Sequence, residues 1–356
     1  MAKHMAEFSI ASIPGDGVGV DVTRSAREVL DAVGLKHGVN LRFTEFDWGT
    51  ERYFRTGAMM PADAIETLRG FDAILLGAVG HPKVADHITL NGLLLPIRRQ
   101  FDQFANVRPA YLYPGVTSPL AGKENIDLVI VRENTEGEYA QVGGFVHTGH
   151  PDEVAVQAGV FTRHGIERVV RYAFELAKRR NKKNRVTSVT KSNAQGYGLV
   201  LWDRVFDRVA AEYPEIETES LLVDAAAMNL IRRPESFDVM VASNLFGDIL
   251  SDISAIIVGS IGLAASANLN PSRQYPSMFE PVHGSAPDIA GKGIVNPIAA
   301  ITSARMMLEH LGEASAASAI EQGVARVLRE RSALTPDLGG TSRTDDVTKA
   351  VIANIA

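Results

Sequence analysis

The ten residues SNLFGDILSD, at positions 243–252, decide how the rest of the chain is read. They follow DVMVAS (238–243), an apolar run with the length and composition of a buried strand. They open the amphipathic segment GDILSDISAII, in which Asp248 and Asp252 stand four apart. A helix stacks both carboxylates on one face. Like charges at that spacing repel, which favours a compensating cation, and hard oxygen ligands suit Mg²⁺ or Mn²⁺. A lone D-x-x-x-D is more simply a solvated acidic face. Here the flanking residues are Ile249, Leu250 and Ile253, and the pair stands at the mouth of a strand-to-helix turn. Ligands of open α/β sheets gather at such strand ends, which brings the metal reading level with the solvated one.

The same strand-then-helix pattern recurs outward from this stretch. FSIASIPGDGVG (8–19) reads as a strand entering a glycine turn, followed by a helix with Val22, Ala26, Val29, Leu30 and Val33 on one face. Gly15, Gly17 and Gly19 lack the G-x-G-x-x-G spacing, and no P-loop lysine follows, so the turn is read as a tight βα connection. FDAILLGAVG (71–80) repeats the motif. Alternating strands and helices predict an α/β fold with a largely parallel sheet.

DHITLNGLLLPIRRQFDQFANVRP (86–109) is helical in its middle and gathers Arg98, Arg99 and Arg108. IDLVIVRENTEGEY (126–139) is a buried strand ending in Arg132, then a polar turn with Tyr139. QVGGFVHTGHPDEVAVQ (141–157) reads as an exposed β-arm. A helix with Ile166, Val169, Val170, Ala173, Phe174 and Ala177 leads into the strand RVTSVTK, which finishes at Lys191. A second helix (Trp202, Val205, Phe206, Val209) leads into TESLLVD, read as a strand ending in Asp224. Polar strand ends at Arg132, Lys191, Asp224 and the two aspartates each cost desolvation unless they meet a partner, which argues for one shared site. MFEPVHGSAPDIAGKGIVNP (278–297) has the composition of a long ordered loop. At its end Asn296 caps and Pro297 starts a helix bearing Ile298, Ile301, Ala304, Leu308 and Leu311.

The totals bound the alternatives. A chain of 356 residues holds two domains with real cores, and 46% hydrophobic with 22% charged residues is an ordinary globular balance. A net charge of −6 without a basic block speaks against nucleic acid. The absence of cysteine excludes disulfides, thiolate metal sites and thiol catalysis. MAKHMAEF is neither a signal nor a transit peptide, and Met5 is a second candidate start. Residues 253–272 carry no charge, but Gly259, Gly262, Asn268, Asn270 and Pro271 break the run. It is read as a buried helix leading into a loop, not a membrane span. The expected location is the cytoplasm.

SNLFGDILSD, VRENTEGEY, the TKSN around Lys191, VDAAAM around Asp224 and EPVHGSAPDIAGKG together resemble the metal-dependent β-decarboxylating dehydrogenases. The likeness runs from about Ile10 to Leu311, in order and at family spacing. It implies an isopropylmalate-dehydrogenase-like two-domain fold with the active-site cleft between the domains. One domain would be built from both chain ends, 1–103 and 261–356, and the central segment 104–260 would form the other. A homodimer with shared active sites is implied, Lys191 and Asp224 reaching into the partner's site and the 141–157 arm clasping the dimer. Asp248 and Asp252, with the other subunit's Asp224, would hold Mg²⁺ or Mn²⁺. Arg98, Arg108 and Arg132 would grip a substrate carboxylate, Lys191 would take the hydroxyl proton, and Tyr139 would protonate the enolate left by loss of CO₂. The dinucleotide would sit on non-Rossmann loops at Gly77, Ala78, Val79 and Gly80, at His283, Gly284, Ser285, Ala286 and Asp288, and at Asn296. The carboxylate of Asp288 favours NAD over NADP, because it accepts hydrogen bonds from ribose hydroxyls and repels a 2′-phosphate.

The substrate class implied is a small 2-hydroxy dicarboxylate. Isocitrate-using relatives carry serine and asparagine where this chain has Gly92 and Leu94, so a third carboxylate finds no partner. Leu94 and Leu95 match the apolar contacts of isopropylmalate enzymes, but Asn91 replaces their acidic residue. DHITL and FDQFANVRP look like the tartrate/D-malate group, and Asn91 could hydrogen-bond tartrate's extra hydroxyl. D-malate and tartrate are the expected substrates, with 3-isopropylmalate as the rival.

Overall fold

The computed structural model describes residues 6–355, so Met5 lies outside them. Twelve strands stand among these residues: β1 (Ala6–Gly15), β2 (Val39–Glu45), β3 (Ala73–Ala78), β4 (Ala105–Tyr111), β5 (Asp127–Glu133), β6 (Gly137–Val146), β7 (Val154–Val160), β8 (Arg185–Thr190), β9 (Glu217–Leu222), β10 (Val239–Ala242), β11 (Ala265–Leu269) and β12 (Ser277–Pro281). The chain divides into two compact units. One comprises the residues up to Gln103, Arg108–Ile126 and everything from Ser254 on; the other comprises Phe104–Val107 and Asp127–Ile253. Strand β4 is shared between them.

In the larger unit the strand order is β2-β1-β3-β12-β11, parallel except for β11, which runs antiparallel to β12. β3 is buried at every position, as an apolar run covered on both faces should be. The helix Gly19–His37 turns Val22, Ala26, Val29, Leu30 and Val33 inward and stops at Gly38, which takes the left-handed conformation (φ 76°) that only glycine adopts freely. A cluster of Met59, Leu93, Leu94, Ile97, Phe101 and Met278 forms part of the core. The segment 86–100 is helical throughout, but its middle, Leu90–Leu94, winds as a π-helix between the α-helices Asp86–Thr89 and Leu95–Gln100. Such stretches are frequent at functional sites.

The smaller unit holds β5-β10-β8-β9, all parallel, and the antiparallel hairpin β6-β7. The helix Arg163–Arg180 is capped by Thr162, whose hydroxyl accepts from Gly165 N, and buries the face read from sequence. DVMVAS contributes β10, and the helix Asn244–Ile257 follows at once.

Three local expectations are corrected. β9 ends at Leu222, and Asp224 lies in the first turn of the helix Val223–Arg232. A carboxylate there meets the positive end of the helix dipole, and DAAAM is a good helix former. The part of 253–272 read as a loop contains the fully buried strand β11. Asn268 is tolerated inside it because its amide donates to Met278 O and Glu280 Oε1. The first residues of 278–297 belong to β12 rather than to a loop. At the other end, Asn296 Oδ1 accepts from Ile298 N at 3.0 Å, at the start of the helix Ile298–Leu311. No helix among the described residues is long and apolar enough to cross a membrane.

Candidate active site

In the smaller unit the VRENTEGEY turn is bolted to the start of the Asn244–Ile257 helix. Arg132 is fully buried; its Nε and Nη2 donate to Asn244 Oδ1 at 3.0 and 2.7 Å, and its Nη1 pairs with Asp248. Gly247 makes this possible, because a Cβ at that position would come within 2.6 Å of Arg132 Cβ. Tyr139 Oη donates to Asp248 Oδ2 at 2.6 Å, and the Arg132 guanidinium stands 5.0 Å from the centre of the Tyr139 ring. Glu138 completes the junction: its carboxylate accepts from Ser243 Oγ at 2.7 Å and Leu245 N at 3.2 Å, at the positive end of the helix. Neighbouring Glu133 is buried and its pKa is raised by that burial, although Thr135 and Glu136 donate backbone N–H groups to it.

The structure therefore brings Arg132, Tyr139 and Asp248 into direct contact. Asp252 stands one turn further along the same helix and is exposed. Lys191 lies just past the end of β8, and its Nζ donates to Asp224 Oδ1 at 2.5 Å. This lysine holds the Asp224 carboxyl below its ordinary pKa. Among the described residues, no group of three His, Cys, Asp or Glu is placed to hold a metal ion. The donors at Asp248 and Asp252 are hard oxygens at one-turn spacing, and both keep solvent-facing surface, which suits a divalent cation that takes its remaining ligands from elsewhere.

In the larger unit, Arg98 and Arg108 are both buried. Arg98 Nη2 donates to Glu280 Oε1 at 2.7 Å. Asn91, on the π-helical stretch, donates its amide to His87 O at 2.7 Å, and Leu94 packs into the core cluster. A Cβ on Gly92 would meet Met59 Cγ at 2.6 Å.

Two of the three segments expected to hold the dinucleotide, 77–80 and 283–288, meet in this unit. Val18 N donates to Ser285 O at 2.8 Å, which ties the 283–288 loop to the first βα turn. Asp16, buried, accepts from Thr50 N and Oγ1 with one carboxylate oxygen and from Gly80 N with the other, so it fixes the turn after Gly77, Ala78 and Val79. Ala286 adopts a left-handed φ of 38°, Gly284 and Asp288 are exposed, and His283 sits with Nδ1 3.0 Å from Gly284 O. Burial pushes the His283 pKa down, so the ring is neutral. Asn296 is buried, and its amide donates to Asp337 Oδ2 at 3.0 Å.

Sequence reasoning passed over Glu138, Asn244, Asp16 and Glu280. All four lie inside quoted motifs, but their partners are 12 to 182 positions away, and no local periodicity announces such a pairing.

Over residues 9–351 the chain matches the isocitrate/isopropylmalate dehydrogenase family. It belongs to that family. Its fold is correspondingly that of the family, and its class is oxidoreductase. The chain is 51% identical over 355 residues to a probable tartrate dehydrogenase/decarboxylase of Agrobacterium vitis, covering 99% of each chain. It is 50% identical over 344 residues to a 3-isopropylmalate dehydrogenase of Thermobifida fusca, covering 96% of this chain and 97% of that one. Among solved structures, the isocitrate dehydrogenase of Methylococcus capsulatus superposes with a TM-score of 0.89 at 36% identity, covering 98% of this chain and 99% of that one. Family membership alone leaves the hydroxy acid open, since these three relatives carry three different substrate names.

Proposed function

We propose that the protein is an NAD-dependent, Mg²⁺- or Mn²⁺-requiring dehydrogenase that oxidises D-malate or tartrate, the malate product losing CO₂ to give pyruvate. The observation that carries this reading is the contact set of Arg132, Tyr139 and Asp248. These three side chains form one hydrogen-bonded group, which supports reading them as a carboxylate-binding cation, a proton donor and a metal ligand.

Once bound, the cation would polarise the C2 hydroxyl and the dinucleotide would accept the C2 hydride. The remaining work falls to the chain. Arg98, Arg108 and Arg132 orient the substrate through its second carboxylate. Lys191 takes the hydroxyl proton as C2 becomes a ketone. When the β-carboxylate leaves as CO₂, its bonding electrons form an enolate, and Tyr139 delivers the proton to C3. Asp248 and Asp252 would hold the cation with Asp224 of a second subunit, in keeping with the lack of a three-ligand group among the described residues of one chain.

Several features support the finer statements. Gly92 backed by Met59 leaves no hydroxyl for a third carboxylate. Asp288 is exposed on its loop and suits NAD⁺. Val142, Phe145, Val146, Val154 and Val156 leave half or more of their surface exposed on β6 and β7, and so do Met228, Ile249 and Ile256 on the two carboxylate-bearing helices. Apolar surface of this extent favours the homodimer. Isopropylmalate is the second reading, favoured by Leu94 and Leu95, which are buried side by side.

A substrate panel tests the proposal. D-malate, tartrate, isopropylmalate and isocitrate are compared at matched concentration with NAD⁺ or NADP⁺ and Mn²⁺, with and without chelator, by absorbance of the reduced nicotinamide. D-malate and tartrate with NAD⁺ are expected to lead, and chelator to abolish turnover. An isopropylmalate kcat/KM about tenfold above that of D-malate, ~1.4 kcal/mol of transition-state preference, reverses the substrate order.

A further inference from the structure

Arg98 is 3% exposed and Glu280 7%. A guanidinium withdrawn this far from water needs a counter-charge. Glu280 supplies it through one oxygen: Oε1 accepts from Arg98 Nη2 at 2.7 Å and also from Asn268 Nδ2 at 2.7 Å. Arg98 Nε is buried with no hydrogen-bond partner among the described residues. The pair is thus lopsided. A guanidinium carries five donors in a rigid fork, and a single strong bond at Nη2 orients its plane while leaving most of the fork unspent.

We propose that Glu280, itself held by Asn268, is a positioning residue for Arg98: it fixes the guanidinium plane so that the remaining Nη N–H groups face an incoming carboxylate. The inference rests on the reading of Arg98 as a substrate-carboxylate ligand. It assigns Glu280 a role in binding the hydroxy acid rather than the dinucleotide. It also separates geometry from charge. Because one oxygen takes both hydrogen bonds, the amide oxygen of glutamine can take the same two, whereas alanine can take neither.

The test is steady-state kinetics with D-malate, NAD⁺ and Mn²⁺ on Glu280→Ala, Glu280→Gln and Asn268→Ala. Glu280→Ala should raise the D-malate KM roughly tenfold or more, the loss of one oriented charge-assisted bond, with the NAD⁺ KM nearly unchanged. Glu280→Gln should restore a KM near that of the wild type. Asn268→Ala should raise it by a smaller factor, and it keeps the proposal testable where Glu280→Ala fails to fold. In an Arg98→Ala background, Glu280→Ala should add nothing further. Equal KM rises for the alanine and glutamine variants, a change confined to the NAD⁺ KM, or an undiminished effect without Arg98 would each overturn the proposal. Wild-type protein that turned over neither D-malate nor tartrate would remove the functional reading and the role of Arg98 with it. Wild-type turnover with an unmoved D-malate KM in all three variants would remove the positioning role alone.

Discussion

Tyr139 and Asp248 are joined by a hydrogen bond of 2.6 Å from the phenol to Oδ2, across 109 positions of sequence. The bond keeps a proton donor against the helix that carries the two metal-type carboxylates. Tyr139→Phe removes the hydroxyl but leaves the ring beside the Arg132 guanidinium. Hydride transfer should survive while formation of protonated product falls by roughly 10²-fold or more. Stopped-flow absorbance of the reduced nicotinamide, set against pyruvate yield, separates the two; an equal loss in both would reject this role.

Lys191→Met should act on the other proton transfer. The lysine is paired to Asp224, but the pair lies largely at the surface, where water and salt screen such bridges and leave them little effect on stability. The melting temperature should therefore hardly move, while the hydride step slows by roughly 10²–10⁴. A large drop in stability with ordinary turnover would mark Lys191 as structural.

Gly92→Ser probes the substrate reading from the packing side. The new Cβ would come within 2.6 Å of Met59 Cγ and 3.1 Å of its Cβ. Met59 has little room to retreat, because it is buried in the core cluster beside Leu93 and Leu94. Overpacking of this kind costs about 1–3 kcal/mol, and urea denaturation should show it. Gly92→Ser combined with Met59→Ala should recover most of the loss. A Gly92→Ser protein as stable as the wild type would contradict the packing argument.

His310 gives a pH dependence of stability. Burial, with Arg273 as a lesser cause, lowers its pKa from 6.5 to about 4. The unfolded chain thus binds the proton more readily than the folded one. Stability contributed by the neutral ring is intact above pH 6.5 and is lost as pH falls toward about 4, by at most roughly 3 kcal/mol. Denaturation curves at pH 7.5, 5.5 and 4.5 should show a slope that His310→Gln flattens.

Local order was legible in the sequence where one element sufficed to reveal it. The 3.6-residue period of Ile166 to Ala177 and the apolar run before SNLFGD give elements whose burial matches the reading. β11 is not legible in the sequence because Asn268 has the character of a loop residue, and only the fold brings Met278 and Glu280 to satisfy its amide. LLVD continues an apolar run and so reads as strand through Asp224, whereas the helix that includes this residue decides its conformation. At the site, residue types announced the metal-type pair, the lysine and the arginines. The residues that aim them did not announce themselves: Glu138 on the helix end, Asp16 on the glycine turn and Glu280 on Arg98 depend on contacts that only the fold creates.

Because Lys191 and Asp224 are bound to each other within one chain, they travel together. In a dimer with shared sites, each centre draws that pair from one subunit and the Asp248–Asp252 helix from the other. Two crippled proteins, Lys191→Met and Asp252→Asn, should then complement each other when unfolded and refolded as a mixture. Every mixed dimer would carry one centre with both lesions and one with neither. Activity returning only after mixing would show that a working centre is inherited from two polypeptides, and no recovery would show that each chain completes its own.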